Sequence, residues 1–91
     1  PFGSVDYIAS GSDLRDADLI QLGRVTCLKE LELTGEDITD AGLVCLEGLS
    51  SLEVLRLRQT QVTEDGAVKL KKALPNCRIE LWRPRYKVKI F

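Results

Sequence analysis

The chain has 91 residues, a length that favours a single domain. Its 13 basic and 14 acidic residues leave a formal charge of −1, which supplies no overall attraction to nucleic acid or to an anionic membrane. Histidine is absent, which removes Ser-His-Asp, Cys-His and His-ligated metal chemistry, and no apolar run approaches the ~20 residues of a membrane span.

Read in chain order, the first candidate strand is Tyr7-x-Ala9, with Leu14, Asp16, Ala17, Leu19 and Leu22 as the start of a short helix. The second unit is more regular. Leu28-x-x-Leu31-x-Leu33 alternates as a strand with one buried face does, and Leu43-x-x-Leu46-x-x-Leu49 recurs every three residues, as one stripe of a short helix. The third unit repeats it. Leu52, Leu55 and Leu57 stand 24 residues after Leu28, Leu31 and Leu33, and Ile38, Thr39, Gly42 and Leu46 recur as Val62, Thr63, Gly66 and Leu70. The same offset run backward joins Leu14 to Ile38, Asp16 to Asp40 and Leu19 to Leu43; run forward it joins Leu55 and Leu57 to Ile79 and Leu81. Thr39 and Thr63 suit helix N-caps, with acidic residues in the first turn behind them, and Pro75 ends the third helix.

The Leu52-to-Val62 pattern with Thr63-Glu64-Asp65-Gly66, and the ending Leu74-Pro75-Asn76-Cys77-Arg78-Ile79, resemble the leucine-rich-repeat family in its short 24-residue bacterial type. The resemblance implies a right-handed α/β solenoid of about three repeats, with parallel strands on a concave face and short helices on a convex face. It spans roughly residues 5–81. On this reading 1–81 is the solenoid, and 82–91 is a C-terminal cap or tail in which Tyr86, Val88 and Ile90 cover the last repeat while Lys87 and Lys89 face water. A basic arm for an acidic partner and a linker are the alternatives for that tail. The turn position that the family fills with Asn or Thr holds Ser12, Glu36 and Thr60; Thr60 suits an inward hydrogen bond, whereas Glu36 should swing outward. Asp18 stands where Gly42 and Gly66 recur, so the first helix should start differently.

Strand alternation sets the outward residues. The leucines point inward, which leaves Glu30, Glu32 and Thr34 outward, then Val54, Arg56 and Arg58, then Arg78, Glu80 and Trp82, with Asp6, Ile8 and Ser10 upstream. One row across the sheet reads Ile8, Glu32, Arg56, Glu80. It is either a self-satisfied charge ladder or a polar recognition strip, and Trp82 beside Arg58 is either a cation–π cap or a binding hot spot. The candidate partner-binding residues are therefore Glu30, Glu32, Val54, Arg56, Arg58, Glu80 and Trp82. No catalytic, cofactor or metal residue is expected, since Arg56 would keep both flanking carboxylates ionised and no nucleophile accompanies them. Cys27, Cys45 and Cys77 are widely spaced and expected as free thiols, which favours a reducing compartment such as the cytoplasm. The family resemblance implies recognition of a protein partner through the concave face; the alternative is a structural or spacer segment of a larger bacterial protein whose activity lies elsewhere.

Overall fold

A computed structural model describes residues 7–9, 14–83 and 86–91 and, for 7–9, 83, 86 and 87, the backbone alone. The alternating leucines form strands where expected. β1 is Tyr7–Ala9, β2 Glu30–Thr34, β3 Val54–Arg58, β4 Arg78–Arg83 and β5 Tyr86–Ile90, joined in one open sheet in the order β1-β2-β3-β4-β5. The first four strands are parallel, and a helical segment lies in each connection between them, as parallel pairing requires.

Those segments differ in kind for a reason visible in their spacing. The i+3 rhythm of Leu43, Leu46 and Leu49 matches a 3-10 helix better than an α-helix, and α2, Asp40–Leu43, passes directly into a 3-10 turn at Val44–Leu46. In the third unit the buried residues are Ala67, Leu70 and Leu74, spaced three and then four apart, and α3 runs as a regular helix over Glu64–Ala73. Leu74 caps it, held out of helical conformation by Pro75. In the first unit the order is reversed: a 3-10 turn at Asp16–Asp18 precedes α1, Leu19–Leu22.

Leu31, Leu33, Leu55, Leu57, Ile79 and Leu81 from the sheet and Leu19, Leu43, Leu46, Ala67 and Leu70 from the helices belong to one buried cluster. The helices thus cover one face of the sheet and leave the other open. Thr60 is buried, and its hydroxyl accepts the Val62 N–H at 3.4 Å, while Glu36 is exposed.

The architecture corrects the expected right-handed leucine-rich-repeat solenoid. The protein is a small mixed α/β unit, because the sheet is not all parallel: β5 turns back and pairs antiparallel with β4. The radius of gyration is 12.0 Å, matching the ~12 Å of a compact globule of this length. The tail adds an edge strand beside the last parallel strand. The edge of β4 offers backbone groups that β5 satisfies, and Phe91 completes the pairing with two hydrogen bonds to Ile79, at 2.8 and 3.3 Å.

That register changes the expected face of Ile90, while Lys89 stays exposed as expected. Ile90 pairs with Glu80 and Lys89 with Leu81. Ile90 is 53% exposed, Lys89 reaches Glu64 on α3 at 2.5 Å, and Phe91 packs against the core. The aliphatic residue faces the open side and the lysine the helical side. The side chains of Tyr86 and Lys87 lie outside the described residues.

A second correction concerns β1. Its register is Tyr7↔Glu30, Ile8↔Leu31 and Ala9↔Glu32, an offset of 23 where the other strands keep 24. Ala9, and not Ile8, stands alongside Glu32. Past the strand, Arg15 and Asp37 form an isolated parallel bridge. Asp6, Ser10 and Ser12 lie outside the described residues.

Candidate functional site

The uncovered face of the sheet collects every outward position read from the alternation on β2, β3 and β4. Parallel pairing sets Glu30 beside Val54 and Val54 beside Arg78; Glu32 beside Arg56 and Arg56 beside Glu80; Thr34 beside Arg58 and Arg58 beside Trp82. Backbone register alone would join Arg56 to both glutamates. The side chains choose otherwise. Arg56 Nε lies 3.4 Å from Glu80 Oε1, whereas Glu32 Oε1 lies 3.7 Å from Nε of Arg58, one diagonal step away.

Glu80 is the centre of the arrangement. Its side chain keeps only 10% of its surface, and three groups surround it: Arg56 Nε and Arg78 Nε as ion pairs, the latter at 3.0 Å, and the Trp82 indole N–H, which donates a hydrogen bond at 3.2 Å. A carboxylate withdrawn this far from water requires such partners, because leaving it unpaired would cost several kcal/mol (order of magnitude). Trp82, anchored through its indole N–H, turns its ring under Arg58, whose guanidinium carbon sits 4.4 Å from the ring centroid. The result is an aromatic–arginine pair held in place by a buried carboxylate.

The cations surrounding this carboxylate are far more open than it is. Arg78 is 57% exposed and Arg58 45%, so the surface presented by β3 and β4 carries three guanidinium groups against one largely covered carboxylate. The β2 side is acidic, with Glu30 and Glu32 both half-buried. Val54 lies between the two regions, and Ile90 adds an exposed aliphatic side chain opposite Glu80.

All seven candidates read from the alternation lie on this face, but they are not one site. Arg56, Arg58, Glu80 and Trp82 form a contacting group to which Glu32 is tied through Arg58; Glu30 and Val54 make no such contact. Two residues escaped the choice of site from sequence. Arg78 was recognised as outward but not as the second cation on Glu80, although its position two residues before Glu80 on one strand face signalled it. Alternation marks Ile90 as a residue covering the last unit, and its antiparallel pairing with Glu80 instead sets it on the open face.

The helical face carries a different pattern. Ile20, Val44 and Val68 are exposed and 24 residues apart, giving one aliphatic position on each helical segment. A groove of about 510 Å³ between the second and third segments is lined by Val44, Val68, Glu47 and Lys69 among others. Among the described residues no cluster of acidic or cysteine side chains is placed to hold a metal ion, and no helix is long and apolar enough to cross a membrane. The three cysteines form no disulfide; Cys77 is buried, Cys45 half-buried and Cys27 exposed. Burial pushes the Cys77 thiol up to about 11, against the opposing influence of Lys71. No protein-family model matches this chain, and no curated protein matches it.

Proposed function

We propose that this chain is a recognition module that binds a protein partner through the open face of its sheet, around Trp82 and Arg58. The observation that carries the reading is the pre-organised pair itself. A tryptophan and an arginine, the residue types that most often dominate binding energy, stand on an uncovered face with their orientations already set by Glu80. Ordering such side chains in advance removes part of the entropic cost of association. The similarity of the Leu52-to-Gly66 pattern to leucine-rich repeats, a family of protein-recognition modules, points the same way.

One observation favours a second reading. Glu80 finds all its donors within the chain, and Glu32 its cation, so the network also serves as an internal brace of a structural or spacer segment in a larger bacterial protein. Selection of binders from a displayed random-peptide library separates the two. The recognition reading expects enriched peptides whose binding is lost with Trp82→Ala and kept with Val44→Ser on the helical face. Enrichment no greater than on heat-denatured chain would favour the spacer, and loss only with Val44→Ser would move recognition to the helical face and overturn the site at Trp82.

A further inference from the structure

The charges on the open face are not evenly spread, and their unevenness specifies a class of ligand. Glu80 is the only carboxylate contributed to that face by β3 and β4, and it is nearly covered by the groups that bind it. The cations above it retain access to water: Arg78 and Arg58 are each about half exposed, and Arg56 is about one-third exposed. An approaching molecule therefore meets positive charge. Guanidinium groups present forked donors suited to carboxylates, and Arg78 and Arg58 engage their glutamates through Nε at 3.0 and 3.7 Å.

Apolar contact is available at the same place. Ile90 stands opposite Glu80 in the β4–β5 pairing and is exposed; Trp82 is half-buried and lies two residues further along β4. Toward β2 the face becomes acidic through Glu30 and Glu32, which repels a ligand of negative charge and confines it to the β3–β5 half.

From this we infer that the β3–β5 half of the open face binds an acidic peptide segment carrying aliphatic or aromatic side chains, with its carboxylates on Arg58 and Arg78 and its apolar groups against Trp82 and Ile90. The inference rests on the recognition reading above and narrows it to one chemistry. An acidic chain without apolar groups would gain only screened surface pairing, and an apolar chain without carboxylates would gain no orientation.

Trp82 is the only tryptophan, so its fluorescence reports on this half of the face directly. The probes are three disordered twelve-residue peptides without tryptophan: glutamate alternating with leucine and phenylalanine, the same peptide with lysine for glutamate, and the glutamate peptide with serine for every apolar residue. The first should shift the emission of Trp82 saturably, with affinity falling about tenfold or more between low and 0.5 M salt. The other two should bind at least about tenfold more weakly. Ile90→Ser, at an exposed position, should weaken the first peptide about fivefold while the melting curve stays close to that of the parent chain; Arg78→Gln should weaken it about fivefold too, with a lower melting temperature because Arg78 also partners Glu80. Equal binding of the lysine peptide would overturn the acidic assignment and leave peptide recognition at Trp82 standing. Equal binding of the serine peptide would overturn the apolar part of the inference. Absence of any saturable shift up to millimolar peptide would overturn the inference outright, while the library selection would still decide the broader reading.

Discussion

Asp40 receives two hydrogen bonds from a single residue of the next unit: Thr63 donates its backbone N–H to Oδ1 at 2.8 Å and its hydroxyl to Oδ2 at 2.6 Å. The Thr63 hydroxyl in turn accepts the Gly66 N–H at 3.1 Å, so one carboxylate orients the N-cap of α3. The same bonds join Asp16 to Thr39, at 2.7 and 2.5 Å. This link between units explains two glycines. A Cβ on Gly66 would collide with the Asp40 carboxylate, and one on Gly42 with that of Asp16. At the equivalent position the Asp18 side chain accepts the Arg15 N–H at 3.0 Å.

That geometry makes a prediction with a change of sign. Gly66→Ala in the parent chain should destabilise by about 1–3 kcal/mol through overpacking against Asp40. Asp40→Ala alone should cost about 1–3 kcal/mol by leaving the Thr63 donors without their acceptor. With Asp40→Ala already present, Gly66→Ala should become neutral or stabilising, since alanine is favoured over glycine in a helix by about 1 kcal/mol. Chemical denaturation of the four proteins gives the coupling directly; strictly additive effects would refute the close approach.

Leu55 lies fully buried in the middle strand of the core, with β2 on one side and β4 on the other. Leu55→Ala should cost about 2–5 kcal/mol, a large fraction of the stability of so small a domain. A loss below ~1 kcal/mol in equilibrium unfolding would remove Leu55 from the core.

Gln59 has a φ of 54°, at the turn position where Gly35, 24 residues earlier, also has a positive φ of 153°. Gln59→Gly should therefore stabilise the protein by up to about 1 kcal/mol, because glycine enters that region without the Cβ penalty. A fall in melting temperature would show that the glutamine side chain contributes more than its backbone strain costs.

Cys77 supplies a pH dependence. Its folded thiol is raised to about 11 by burial, above the ordinary value of 9.0, so the folded state holds its proton where the unfolded state has lost it. The associated stability is full below pH 9 and is lost as pH rises toward 11, by on the order of 1–2 kcal/mol. Unfolding free energies of the parent and of Cys77→Ala across that window should differ in slope, the variant falling less steeply. Parallel slopes would show that the thiol is not shielded.

The units from Leu28 to Leu81 were legible because one period governs both pattern and pairing: a leucine in the second unit predicts the hydrogen-bonded neighbour of a leucine in the third. What escaped was whatever the period does not govern. The one-residue slip of β1 is a departure from the 24-residue offset itself. The antiparallel register of β5, which sets Ile90 opposite Glu80, has no counterpart in the internal repeat. Within the site, the outward set on β2 to β4 followed from alternation, but the diagonal pairing of Glu32 with Arg58 is a choice of long side chains at contact distance. Asp16 and Asp40 were visibly equivalent in sequence, yet their bonds to Thr39 and Thr63 require two units to be stacked before they can be seen.

The central claim is that the chain meets its partner on the open sheet face at Trp82 and Arg58. Amide-resolved chemical-shift mapping of the folded chain with a library-selected peptide tests it most directly. The account predicts the largest shifts at Arg56, Arg58, Glu80 and Trp82 together with the Trp82 indole N–H, and little change at Ile20, Val44 and Val68. Shifts concentrated on the helical face, with the Trp82 indole signal unmoved, would contradict it.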